Sequence, residues 1–96
     1  MTAYWINTFR SESDEERLAT YIELAGPAML AGGGRFLARG LPAAAFESGT
    51  LDRTTLIEFP SVEAAVATYL SPAYQEALRV LGDAAERDIR IIAAAT

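Results

Sequence analysis

Residues 2–18 read T-A-Y-W-I-N-T-F-R-S-E-S-D-E-E-R-L, and the passage from strand to helix within them decides the fold. From Thr2 to Phe9 the run is rich in aromatic and β-branched residues. A period of two sets Ala3, Trp5, Asn7 and Phe9 on one side and Tyr4, Ile6 and Thr8 on the other. Both sides are apolar enough to require cover. Ser13 stands three residues before Glu16, as in a capping box, and Asp14, Glu15 and Glu16 fill a first turn where the helix dipole favours negative charge. The spacing predicts a helix from Ser13. Its apolar stripe, Leu18, Tyr21, Ile22, Ala25, Ala28 and Met29, keeps the 3.6-residue period until Gly32-Gly33-Gly34 ends it. Pro27 removes one hydrogen bond inside that stripe and is expected to kink the helix or divide it near Gly26.

Past the glycines, Arg35–Gly40 and Arg53–Phe59 alternate as two further strands, with Arg35, Leu37 and Arg39 on one side of the first. The connection from Leu41 to Asp52, with Pro42 and Gly49, reads as a long hairpin loop. Ser61 is the N-cap for a helix over Val62–Leu70, and Pro72 opens another at a position where proline costs little. Tyr74, Ala77, Leu78 and Leu81 give it an apolar side up to Gly82, and Arg87–Ala94 is the last strand. Strand, helix, strand, strand, helix, strand is the split βαβ order of a ferredoxin-like α+β sandwich, with helices on one face of a four-stranded antiparallel sheet. All 96 residues are expected in that one domain. The uncovered sheet face would carry apolar groups whichever way each strand points. A second copy, sheet against sheet, is the expected cover, giving a homodimeric α+β barrel.

Composition removes whole classes of chemistry. Cys, His and Lys are absent, so no disulfide, thiolate or imidazole metal site, cysteine nucleophile, histidine base, Schiff base or P-loop lysine is possible, and no cofactor or metal is expected. Thirteen acidic against eight basic residues give a net charge of −5 with no basic patch, which argues against nucleic acid or an anionic membrane as partner. No stretch approaches the roughly 20 apolar residues of a membrane span, and Met1–Ile6 has no basic leader, so a cytoplasmic location is the expectation. The three glycines follow a helix and lack the G-x-G-x-x-G spacing, which makes them a helix terminator and not a phosphate cradle. The acids from Glu12 to Glu16 diverge around a helical turn and form no cation loop.

Four segments carry a family resemblance: A-G-G-G-R-F-L-A-R-G at 31–40, F-E-S-G at 46–49, E-F-P-S-V-E-A-A at 58–65 and Y-L-S-P-A-Y-Q at 69–75. In order and spacing they resemble the family called domain of unknown function 1330, of the dimeric α+β barrel superfamily, over nearly the whole chain. The resemblance implies that fold and a dimer but no settled reaction. The superfamily joins cofactor-free monooxygenases, haem-degrading enzymes, muconolactone isomerase and simple binding proteins. Haem relatives that use a histidine ligand are excluded here. In the cofactor-free oxygenases Asn, Trp, Tyr and Arg side chains hold an aromatic substrate as its anion, and this chain has those residue types. It departs from the family at Ala31, where an aromatic residue is common, and at Leu81, where an arginine is common. It closes Ile92-Ala93-Ala94-Ala95-Thr96 in place of a Val-Glu-Gly motif. If those positions furnish a site in relatives, this chain has lost or altered it.

Four residues stand out as ligand-binding candidates. Asn7 shares a side with Trp5 and Phe9 and needs a partner if buried. Arg39 requires an acid, which is either Glu47 or Glu58 in a structural ion pair, or the carboxylate or enolate of a ligand. Tyr69 and Tyr74 flank Ser71-Pro72 and either pack the core with satisfied hydroxyls or line a pocket between helix and sheet. Two functions remain open. One is the binding of a small organic ligand, anionic or aromatic, in a pocket of the homodimeric barrel. The alternative is a cofactor-independent monooxygenase or isomerase acting on a small enolisable or aromatic substrate. Acid-base work would fall to Tyr, Asp or Glu, with ordinary pKa values of about 4 or about 10, and this favours the binding reading.

Overall fold

The computed structural model, which describes residues 1–95, sets the first strand inside the sheet with a neighbour on each edge. Strand β1 (Ala3–Glu12) leads into helix α1 (Glu15–Ala31), strands β2 (Arg35–Gly40) and β3 (Thr54–Phe59), helices α2 (Val62–Leu70) and α3 (Pro72–Leu81), and strand β4 (Ala85–Ala93). The strands lie in the order β2-β3-β1-β4 and every neighbouring pair is antiparallel, which is the ferredoxin-like α+β fold. The helical return is split in two at Ser71, because Pro72 cannot donate to the ladder of α2. The Ser71 hydroxyl accepts from the Tyr74 amide at 3.2 Å and so caps α3.

Alternation along β1 sorts the two faces. Ala3, Trp5 and Asn7 stand opposite Phe59, Ile57 and Thr55 of β3 and Ala93, Ile91 and Ile89 of β4, on the side that the helices cover. Trp5 is fully buried there, with Phe59, Tyr69 and Tyr74 rings 6.1, 5.8 and 5.3 Å from its own, the last edge-on at 84°. The opposite face carries Tyr4 and Ile6 of β1, Leu56 of β3 and Ile92 of β4, none of them buried in the single chain. Burial of Trp5, Phe59 and Tyr74 alone contributes several kcal/mol at roughly 2–3 kcal/mol for each large side chain.

Several local expectations are corrected. The N-cap of α1 is Asp14, not Ser13: the Asp14 carboxylate accepts from the Arg17 amide at 3.1 Å. Ser13 is engaged elsewhere, its amide donating to the Ala84 carbonyl at 2.7 Å and its hydroxyl to the same oxygen at 3.2 Å, so it ties the β1–α1 turn to the α3–β4 turn. Pro27 does not divide α1. Buried Tyr21 and Ala25 before it and Ala28 and Met29 after it pin both halves to the core, and Pro27 itself is exposed. Arg35 and Arg39 do not share a side. The β2 register shifts between Phe36 and Ala38, so Arg35 lies opposite Glu58 on the open face while Arg39 lies opposite Thr55 on the helix-covered face. Finally β1 runs on to Glu12 and β4 begins at Ala85, because a bulge between Phe9 and Ser11 lets Ser11 and Glu12 pair with Glu86 and Ala85.

The glycine triplet ends α1 for three separate reasons. Gly33 has φ +92, a Cβ on Gly32 would overlap the Thr68 hydroxyl, and a Cβ on Gly34 would stand 2.8 Å from the Met29 carbonyl and 2.9 Å from Phe59 Cζ. Gly34→Ala should therefore destabilise the protein by about 1–3 kcal/mol, whereas Pro27→Ala, which restores a hydrogen bond in an exposed stretch of helix, should stabilise it by about 1–3 kcal/mol. Urea unfolding of the two variants at matched concentration measures both signs.

Candidate functional site

Between α1 and the sheet lies a cavity of about 60 Å³ lined chiefly by apolar groups, among them Phe9, Ile22, Ala25, Met29, Phe36 and Ile57. Its polar lining is sparse: Asn7 and Trp5 from β1, Tyr21 from α1, Thr55 from β3, Arg39 from β2 and Arg53 just ahead of β3. Asn7 is 5% exposed and its Oδ1 has no hydrogen-bond partner among the described residues. Trp5 Nε1 is likewise buried and unpartnered. An acceptor and a donor two residues apart on one strand face are thus both withheld from the protein's own hydrogen bonds. Each costs on the order of 1–3 kcal/mol if left so.

Arg39 reaches this cavity by way of the β2 bulge and rests its guanidinium 4.9 Å above the Phe36 ring. Neither acid considered for it is its partner. Glu58 binds Arg35 at 2.9 Å on the other face, and Glu47 sits in the Phe46–Gly49 turn with φ +54, outside ion-pair reach of Arg39. Four of the eight arginines, Arg10, Arg17, Arg35 and Arg79, pair with carboxylates near the surface. The other four, Arg39, Arg53, Arg87 and Arg90, have no acid partner among the described residues, and each lines a hollow of the molecule.

The fold brings Asn7 and Arg39 to one cavity but separates the two tyrosines from them. Tyr74 is fully buried, edge-on to Trp5, and its hydroxyl meets that of Tyr21 at 2.7 Å. Tyr69 opens on a second hollow, a groove between α2, α3 and β4. Sequence reading missed Tyr21 and Arg87 as polar partners. Arg87 Nη1 donates to the Tyr21 hydroxyl at 2.7 Å and to that of Tyr74 at 3.2 Å, while its guanidinium lies over the Phe9 and Tyr21 rings. The available signal was that two tyrosines on the apolar stripes of different helices bring two hydroxyls into one core, where a donor must reach them.

Burial, reinforced by the neighbouring Tyr74, pushes Tyr21 far above the ordinary tyrosine pKa, so it stays a neutral phenol and is no base at neutral pH. Burial alone would lower Arg87, but the two phenol oxygens outweigh it and hold this guanidinium above the ordinary arginine value. Among the described residues no cluster of three or more acids, histidines or cysteines could hold a metal ion, and no helix is long and apolar enough to cross a membrane.

A ferredoxin-like sandwich with a polar-tipped cavity between its layers is the class that fold and site define. Within that class the chain belongs to the DUF1330 family, a domain of unknown function, whose family model matches residues 2–95. No curated protein matches the sequence. Among solved structures the chain is similar to a protein of unknown function from Rhodopseudomonas palustris, with a TM-score of 0.72 and 22% identity over 99% of this chain and 83% of that one. It is also similar to a dimeric ferredoxin-like protein of unknown function from Thermobifida fusca (TM-score 0.67, 17% identity, 98% and 92% of the two chains). A third is SnoaB, a cofactor-independent oxygenase from Streptomyces nogalater (TM-score 0.69, 9% identity, 99% and 94%). At these identities the likeness establishes the fold.

The raised pKa of Tyr21 fixes the sign of an alkaline effect. Its folded value lies above its unfolded value of about 10, so its contribution is complete below that pH and is lost as pH rises beyond it. Denaturant unfolding should show stability falling above roughly pH 10, and Tyr21→Phe should weaken that fall while costing about 1–2 kcal/mol at neutral pH through the lost hydroxyl contacts.

Proposed function

We propose that the cavity between α1 and the sheet binds a small organic molecule with an aromatic or otherwise apolar body. The molecule presents a donor to Asn7 Oδ1 and an acceptor or negative charge toward Arg39. The observation that carries this reading is the buried, unpartnered carboxamide oxygen of Asn7 in a mostly apolar lining that also holds two acid-free arginines. Such a group stabilises nothing in the empty protein and gives specificity to a ligand that completes it. At about 60 Å³ the cavity takes a ring edge or a small molecule, the remainder passing the exposed side chains of Ile22 and Arg39. Tyr69 and Tyr74 stand behind Trp5 and shape its pocket wall through their rings.

The active unit in this reading is one domain, residues 1–96, doubled into a homodimeric barrel. Its support is the apolar open face with Ile6, Leu56 and Ile92, the exposed Leu41, Phe46 and Leu51 of the β2–β3 connection, and the dimeric description of the Thermobifida fusca protein. Light scattering should return twice the single-chain mass of 10.3 kDa, and Ile6→Glu, which places a charge on the open face, should return the single-chain mass. A wild-type protein that scatters as one chain at micromolar concentration contradicts this part of the account.

A second reading, cofactor-independent oxygenation of an enolisable or phenolic ligand, has one specific support: Asn7, Trp5, Tyr21 and Arg39 surround a single cavity in a fold shared with SnoaB. The two readings separate on incubating any bound phenol with the protein in air and analysing products, since binding alone leaves the phenol unchanged.

Titrating phenol against the fluorescence of Trp5, the single tryptophan, tests the binding reading. Saturable quenching is expected, and Asn7→Leu should abolish it while stabilising the empty protein by about 1–2 kcal/mol, because it replaces an unpaired polar group with an apolar one of similar shape. An Asn7→Leu variant that binds phenol unchanged, or is less stable than wild type, counts against the proposal.

A further inference from the structure

The open groove between α2, α3 and β4 has a volume of about 600 Å³, within the range of small-molecule sites. Its walls are mostly apolar, with Tyr69 and Leu70 of α2, Leu78 of α3, and Ile89 and Ile91 of β4. The one charged group in this lining is Arg87. Its partly buried guanidinium has only neutral partners. Nη1 donates to the Tyr21 and Tyr74 hydroxyls, and no further donor of Arg87 has an acceptor among the described residues. The acids flanking it in sequence are turned away by the alternation of β4: Asp88 binds Arg10 at 2.7 Å, and Glu86 is exposed beside it in sequence on the opposite side of the strand. A guanidinium has five N–H donors in a planar fork that matches a carboxylate, and a half-buried cation without a counter-ion carries a desolvation cost that an anion would offset.

We infer that this groove is a second ligand site, which takes a monocarboxylate with an apolar body, its carboxylate on Arg87 and its hydrocarbon along Leu78, Ile89 and Ile91. One cation in an apolar trough selects a single negative charge on a hydrophobic tail over a multiply charged phosphate, which would need more donors than the groove supplies. The Tyr21–Tyr74 pair fixes the guanidinium from behind, so the fork is held in place before the ligand arrives. The groove shares no lining residue with the cavity at Asn7, although Arg87 rests on the Phe9 and Tyr21 rings that line that cavity.

Octanoate is the probe and octan-1-ol its neutral control, titrated into the intact wild-type protein and followed by amide NMR. Octanoate should bind at least about tenfold more tightly than the alcohol and move the resonances of Ala85, Ile89 and Ile91, leaving Ala25 and Phe36 at the other cavity unmoved. Arg87→Gln should remove that preference. Val66→Glu, at an exposed position on the rim, should weaken octanoate about fivefold without touching the core, so a poorly folded Arg87 variant does not decide the outcome. Equal affinity for acid and alcohol, shifts centred on Ala25 and Phe36, or no saturation at millimolar octanoate each overturns the proposal.

Discussion

The enclosure of Trp5 is the constraint on which the two layers depend. It stands on an interior strand, has no exposed surface, and is met by rings from β3, α2 and α3, so one side chain links the sheet to both halves of the helical return. Its position also forces the rest of β1. Once Trp5 faces the helices, a period of two turns Asn7 toward the same dry layer and leaves Tyr4 and Ile6 on the open face. A polar side chain within the core and an apolar stripe outside it are two results of one alternation. The first leaves an unpartnered acceptor in the cavity wall, and the second leaves apolar side chains uncovered in the single chain.

Polar groups divide the same way. Acids meet arginines at the surface, where such pairs contribute little, while the arginines that line hollows have no acid. In a chain of net charge −5, acids are plentiful, so the acid-free arginines reflect position and not shortage. Arg39 is placed by a bulge and Arg87 by a pair of phenols, each a local device that turns a cation toward a space. The cavity is lined by Trp5, Asn7, Tyr21, Thr55 and two arginines, with no carboxylate among its lining residues.

Much of the fold is legible in the sequence because periodicity and turn chemistry are local. The Ser61 cap, the Pro72 start and the alternation of β1 each depend on neighbours within four residues, and each appears where it was expected. What sequence could not supply depends on the sheet. The β2 bulge reverses Arg39 relative to Arg35, and no residue between them announces it. The N-cap passes from Ser13 to Asp14 because Ser13 is tied to Ala84, some seventy positions away. Asn7 and Arg39 were legible as a polar group on an apolar face and a cation in need of an acid. Tyr21 and Arg87 were not, since their roles exist only where α1, α3 and β4 converge.

The central claim is that the space between α1 and the sheet is kept for a ligand completed by Asn7. A crystal structure of the protein grown with phenol tests it most directly. The account predicts the ring between Phe36 and α1 with its hydroxyl donating to Asn7 Oδ1 and its oxygen turned toward Arg39. An Asn7 side chain bonded to another protein group over a closed cavity, with phenol elsewhere or nowhere, would contradict it.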